Sequence, residues 1–117
     1  METPGTYNIT LRRGNTYRQL FEFQNSDESA MDLTSYIIKA QIRATKEQDG
    51  TLIETFTVSI PDPTDGKVYL SLTLSKMNAL DASTRYWDML ITNPAGTSSE
   101  TYVEGIVYIK PSVTVKT

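Results

Sequence analysis

Apolar and polar residues alternate with a period of two along most of this chain, and turn-forming residues break the pattern about every ten positions. Strand side chains point to opposite faces in succession, so alternation of this kind describes strands with one buried face, and its repetition describes a sandwich or a barrel. Helical spacing is nearly absent. Residues 7–11 read as a first strand, Gly14-Asn15 as a turn, and residues 17–23 as a second strand with Tyr17, Phe21 and Phe23 on one face. The third strand is the clearest: Tyr36, Ile38, Ala40 and Ile42 point one way, and Lys39, Gln41 and Arg43 the other.

Residues 46–50 end in Asp-Gly, a hairpin dipeptide, and a fourth strand is expected over 52–60, stopped by Pro61 and Pro63. A fifth, 67–74, sets Val68, Leu70, Leu72 and Leu74 on one face, and residues 75–80 suit one short helical turn. The sixth and seventh, 85–92 and 101–109, flank Asn93-Pro94-Ala95-Gly96, where proline and glycine suit a reversal. The expected fold is all-β, an antiparallel sandwich of about seven strands with one helical turn.

With 117 residues the chain has room for one core, so residues 1–117 are expected to form a single domain with short polar termini. It has no cysteine and no histidine, which removes disulfides, thiolate nucleophiles, Cys-based zinc sites and the commonest general base. A net charge of −3 argues against nucleic acid as a partner. Arg12-Arg13, with Arg18 nearby, is the only dense basic spot and reads as a solvated strand end. No apolar run is long enough to span a bilayer, and Met1-Glu2-Thr3-Pro4 does not look like a secretory signal, so a soluble protein made in a cytoplasm and free of membrane partners is expected.

Strands six and seven depart from simple alternation. Trp87, Met89 and Ile91 form one apolar row, yet Tyr86 and Leu90 lie on the opposite row beside Asp88. Likewise Val103, Val107 and Ile109 oppose Tyr102, Ile106 and Tyr108. Two readings fit this second greasy face: burial against another subunit, or cross-strand packing on a solvated sheet. The first makes Tyr86, Leu90, Tyr102, Ile106 and Tyr108 an interface.

Candidates for chemistry are few. The run from Leu80 to Tyr86 could form a tyrosine corner, a structural device in which the phenol bonds back to upstream backbone. Asp62-Pro63-Thr64-Asp65-Gly66 holds part of a calcium loop but lacks the closing glutamate, and reads as turn chemistry. Asp88, if buried, needs a partner such as Arg85, Arg43 or a backbone donor. No serine elbow and no glycine-rich phosphate loop is present, so no catalytic residue, metal ligand or cofactor site is expected.

The segments Arg13-Gly14-Asn15-Thr16, Met31-Asp32-Leu33-Thr34-Ser35-Tyr36, Lys39-Ala40-Gln41-Ile42-Arg43, Asp65-Gly66-Lys67-Val68, Tyr86-Trp87-Asp88, Gly105-Ile106-Val107 and Pro111-Ser112-Val113-Thr114 resemble small tailed-bacteriophage virion proteins. The family nearest in pattern is the immunoglobulin-like N-terminal domain of phage upper baseplate proteins. The chain departs from that pattern at Ser35, where a glycine is expected, at Asn15, where aspartate is frequent, and in lacking a glycine before Tyr86.

The resemblance implies an immunoglobulin-like sandwich with no catalytic centre, made in a host bacterial cytoplasm and built into the virion. Its partners would be other virion structural proteins, and copies of itself in trimeric or hexameric symmetry. A capsid decoration (cement) protein is the alternative within the same class. A carbohydrate-binding module is the alternative from another class, and it would need Trp87 or several tyrosines on an open surface.

Overall fold

The alternation becomes two sheets packed face to face. The computed structural model describes residues 5–45 and 50–111. In chain order the elements are β1 (Gly5–Thr6), β2 (Ile9–Arg12), β3 (Tyr17–Glu22), β4 (Ile37–Arg43), β5 (Leu52–Thr55), β6 (Thr57–Ser59), β7 (Lys67–Leu72), α1 (Leu74–Asn78), β8 (Ser83–Thr92) and β9 (Ser99–Lys110). The larger sheet runs β1-β9-β8-β4-β5, with β2 also beside β9; the smaller runs β3-β7-β6. Such a pair of sheets has the immunoglobulin-like arrangement, β9-β8-β4 matching strands G, F and C, and β3-β7-β6 matching B, E and D. The chain is an immunoglobulin-like β-sandwich.

Between the sheets lies one apolar cluster. Ile9 and Leu11 of β2, Ile38, Ala40 and Ile42 of β4, Val68, Leu70 and Leu72 of β7, Met89 and Ile91 of β8, and Val103, Val107 and Ile109 of β9 are all buried. Met77 of α1 and Leu80 close one end. The helical turn forms because the Thr73 hydroxyl accepts the Lys76 amide and caps it. Among the described residues no polar or charged residue is buried in this cluster.

Two expected strands differ from their sequence bounds, for physical reasons that alternation does not carry. The strand expected over 52–60 stops at Phe56, whose buried ring turns the chain: β5 pairs with β4, whereas β6 pairs with β7 in the other sheet. The Phe56 amide donates to the Ala40 carbonyl at 2.9 Å, so the crossover still hangs on β4. The strand expected over 7–11 begins only at Ile9, a separate short strand β1 precedes it across Tyr7 and Asn8, and both run parallel to β9 rather than antiparallel. The turn expected at 46–50 falls mainly on residues 46–49, outside the described residues.

The kink at Tyr7 brings backbone against backbone. A Cβ on Gly105 would collide with the Tyr7 carbonyl, so only glycine allows the approach. Tyr7 N donates to Glu104 O at 2.9 Å, and Asn8 Oδ1 accepts the Ile106 amide at 3.0 Å, fastening the kink on both sides. Ser35, which stands where a glycine is expected, has φ 64°, the left-handed region that costs a residue with a Cβ about 1–2 kcal/mol. Denaturant unfolding should register both positions. Gly105→Ala should lower stability by roughly 1–3 kcal/mol, since a rigid backbone must shift. Ser35→Gly should raise it by about 0.5–1 kcal/mol, the relieved strain less glycine's added chain entropy.

Candidate functional site

The same alternation that buries Trp87, Met89 and Ile91 turns a second row of side chains away from the smaller sheet. On β4 this row is Ile37, Lys39, Gln41 and Arg43; on β8 it is Tyr86, Asp88 and Leu90; on β9 it includes Glu104, Ile106 and Tyr108. Register places Gln41 opposite Asp88 and Asp88 opposite Glu104, with Arg43, Tyr86 and Ile106 in the neighbouring row and Lys39 opposite Leu90 in the other. Sheet twist curves this surface into a concavity of about 700 Å³, which Thr6 and Asn8 bound on the β1 side.

Exposed apolar side chains concentrate on the strands of this sheet, with Leu90 lining the concavity. Five large hydrophobic residues are exposed among those described, and Ile37, Leu52, Leu90 and Tyr108 all belong to strands of the larger sheet. The fifth, Tyr7, stacks edge-on against Phe21 at 5.3 Å. Ile37, at 55% the most exposed of them, is absent from the sequence-based interface because its neighbour Ile38 carries the apolar row of β4 into the core.

Of the expected interface residues, Tyr86, Leu90, Ile106 and Tyr108 share this outer face. Tyr102 does not. Leu90 pairs with Thr101 while Met89 pairs with Val103, so Tyr102 is the extra residue of a β-bulge. The bulge reverses its direction, and its ring packs edge-on to Phe23 at 5.6 Å, against the core.

The tyrosine corner is likewise corrected. Its phenol must point inward, two residues before a core position. Here the residue two before buried Trp87 is Arg85, and Tyr86 lines the outer concavity instead. Arg85 therefore lies on the other side of the sheet from Asp88 and cannot serve it.

Asp88 is not buried, and among the described residues the single ion pair is Lys76 with Glu54 at 3.7 Å, so Asp88 has none. The walls of the concavity strip part of its hydration, and Glu104 stands directly across the ladder. Both push its carboxyl above the usual carboxylate range, and only the more distant Arg43 charge pulls it back. Arg43 itself is committed elsewhere, donating to Gln41 Oε1 at 2.7 Å and to the Gly50 carbonyl at 2.8 Å.

The remaining candidates are occupied by local structure. Asp62 Oδ1 accepts both the amide and the hydroxyl of Thr64, and Asp65 Oδ1 accepts the Lys67 amide. Those hydrogen bonds hold Asp62 below the usual carboxylate range, as the Thr34 hydroxyl does Asp32. Gly66 then reverses the chain at φ 70°. Among the described residues no cluster of acids could hold a metal, and no helix is long and apolar enough to cross a membrane.

The arginines do not form one basic spot. Arg12 is exposed beside Lys110, Arg13 donates to the Asn78 carbonyl at 3.2 Å, and Arg18 lies over the Tyr69 ring, 4.1 Å from its centroid, on the smaller sheet. Trp87 is 3% exposed, so it offers no stacking platform.

No protein-family model matches the chain, and no curated protein does. Solved structures align with the chain at low identity. One comes from work on multimeric cell-adhesive interactions of VGSC β subunits, with 7% identity, 97% of this chain and 98% of that chain covered, and a TM-score of 0.45. Another is a family 123 glycoside hydrolase from Clostridium perfringens, with 10% identity, 95% of this chain but 24% of that chain, and a TM-score of 0.43. A PKD domain matches with 12% identity over 98% of this chain and 88% of that chain, at a TM-score of 0.30.

The Asp88 environment has a measurable consequence. Its carboxyl is raised in the folded state, so the stability present at low pH is lost as pH climbs from the unfolded-state value through the raised one. Asp88→Asn abolishes that loss. In dilute solution the variant should be more stable than the parent at neutral pH, and urea titrations should show the two converging as the solution is made mildly acidic.

Proposed function

We propose that this chain is a structural subunit of a tailed-bacteriophage virion, an adaptor of the tail, baseplate or fibre that docks to its neighbours through the outer face of the larger sheet. The segment resemblance supports the setting. The mechanism rests on one observation: four of the five large hydrophobic side chains exposed among the described residues sit on strands of that sheet, Leu90 lining a concavity to which Tyr86 and Ile106 also contribute. A sheet with one solvated face has no need of such residues, whereas an interface takes most of its energy from aromatic and aliphatic anchors held in a shaped surface.

On this reading the protein is not an enzyme, and it acts by position. Copies associate with one another and with other virion proteins, and ring symmetry of threefold or sixfold order suits a tail. Leu90 and Ile106 flank the carboxylate row on either side and would be covered on docking.

Leu90→Glu combined with Ile106→Glu places charges in the covered surface while leaving the core intact. Light scattering should then report folded monomers where the parent associates, with unchanged circular dichroism; equal association by both would remove this face from consideration. Antibodies raised against the chain should label intact phage particles on the tail or baseplate. Label confined to the shell would move the protein to the capsid-decoration class, and absence from purified particles would overturn the virion reading.

A further inference from the structure

Charges at the centre of the outer face are sorted by strand, with Lys110 of β9 and Arg12 of β2 set apart at its far end. β4 contributes Lys39 and Arg43 and no acid to that face; β8 and β9 contribute Asp88 and Glu104 at its centre. The two carboxylates are direct cross-strand partners, an arrangement that costs stability when nothing positive lies between them. None of the four charges has an ion pair within the described part of the chain, where the only such pair is Lys76 with Glu54. The face thus carries a cationic stripe beside an anionic one, neither ion-paired among the described residues.

We infer that the occupant of this face is a second copy of the same chain, docked about a two-fold axis so that β4 of each copy, with Lys39 and Arg43, lies over β8 of the other and brings both cations within reach of its Asp88, beside Glu104. The inference rests on the docking reading above and specifies its partner. A two-fold contact is self-complementary: whatever β4 of one copy meets on β8 and β9 of its neighbour, the neighbour's β4 meets in return. An axis parallel to the strands and between β4 and β8 sets each β4 on the other copy's β8. Gln41 then comes over Asp88, with Lys39 and Arg43 one row to either side, about 7 Å along the strand and within reach of their long side chains. Leu90 and Tyr86 fall under Lys39 and Arg43 in the same superposition, which covers the apolar part of the face. Twisted sheets are saddle-shaped, so two of them seat face to face at a modest angle as the sheets of a sandwich do. Two-fold contacts also join rings of threefold or sixfold order into dihedral assemblies.

Charge exchange tests this. One variant carries Lys39→Glu and Arg43→Glu, making the centre of the face all-acidic; the other carries Asp88→Lys and Glu104→Lys, making it all-basic. In sedimentation velocity at low salt the parent should dimerise, with association weakening as salt is added. Each variant alone should self-associate at least about tenfold more weakly, and an equimolar mixture should regain a dimer containing one copy of each. Because Arg43 also holds the Gly50 carbonyl, Lys39→Glu alone serves as a second variant, with a smaller loss in the same direction. A parent that stays monomeric at all concentrations overturns both the inference and the docking reading in its homo-oligomeric form. A parent that associates while the variants do so equally well, or whose variants fail to recombine, overturns the two-fold charge pairing and leaves docking through the apolar residues standing.

Discussion

The sandwich is organised around the indole of Trp87. Its Nε1–H donates to the Tyr7 carbonyl at 2.7 Å, and its ring lies 5.7 Å from Phe21 and 5.9 Å from Phe56. Those contacts reach three separate parts of the molecule. The hydrogen bond fastens the N-terminal strand across β9 at the kink that Gly105 makes possible. Phe21 belongs to β3 in the smaller sheet, and Phe56 is the residue at which the chain changes sheets. Each aromatic pair adds roughly 0.5–1.5 kcal/mol beyond its buried area. The more important point is topological, because one side chain from β8 ties both sheets and both irregular segments to a single centre.

That inward arrangement dictates what the outer face can be. With Trp87, Met89 and Ile91 committed to the core, period-two geometry obliges Tyr86, Asp88 and Leu90 to face away from it. The core contains no buried charge among the described residues, so it makes no demand on the composition of the outer row. That row is free to be selected for something else, and its mixture of apolar side chains with segregated charges is not what solvation alone requires. The irregular residues help shape it. The kink at Tyr7 and Asn8 sets the β1 wall of the concavity, and the bulge at Tyr102 trims the opposite side of β9 by taking one ring out of the surface.

Legibility in the sequence divides along the same lines. Faces of β4, β7 and β8 can be read directly from alternation, since nothing interrupts the pleat between Ile38 and Ile42, Val68 and Leu72, or Trp87 and Ile91. Alternation says which side a residue faces but not which strand lies beside it. The parallel pairing of β1 and β2 and the sheet change at Phe56 are therefore out of its reach, because residues 52–60 alternate acceptably across the break. Tyr102 escapes for the converse reason: a bulge inserts one residue and inverts the parity of the strand beyond it. Ser35 offers a different lesson, because the backbone adopts the left-handed conformation even though the glycine expected there is missing.

The candidate face is half legible. Tyr86, Leu90, Ile106 and Tyr108 announce themselves because apolar residues on a nominally polar row are anomalous. Lys39, Gln41 and Arg43 do not, because polar residues opposite a buried row are what any solvated strand shows. Their significance depends on register, which brings β4 beside β8 and aligns Gln41, Asp88 and Glu104 in one line across three strands. Single exposed charges contribute little, and isolated surface ion pairs are worth at most about 1 kcal/mol. A carboxylate held opposite another in a partly dehydrated hollow is a different case, since Glu104 raises the cost of ionising Asp88 until a cation arrives. On the docking reading, the benefit of that arrangement, which the sheet holds in place through backbone hydrogen bonds, comes from a neighbour rather than from the core.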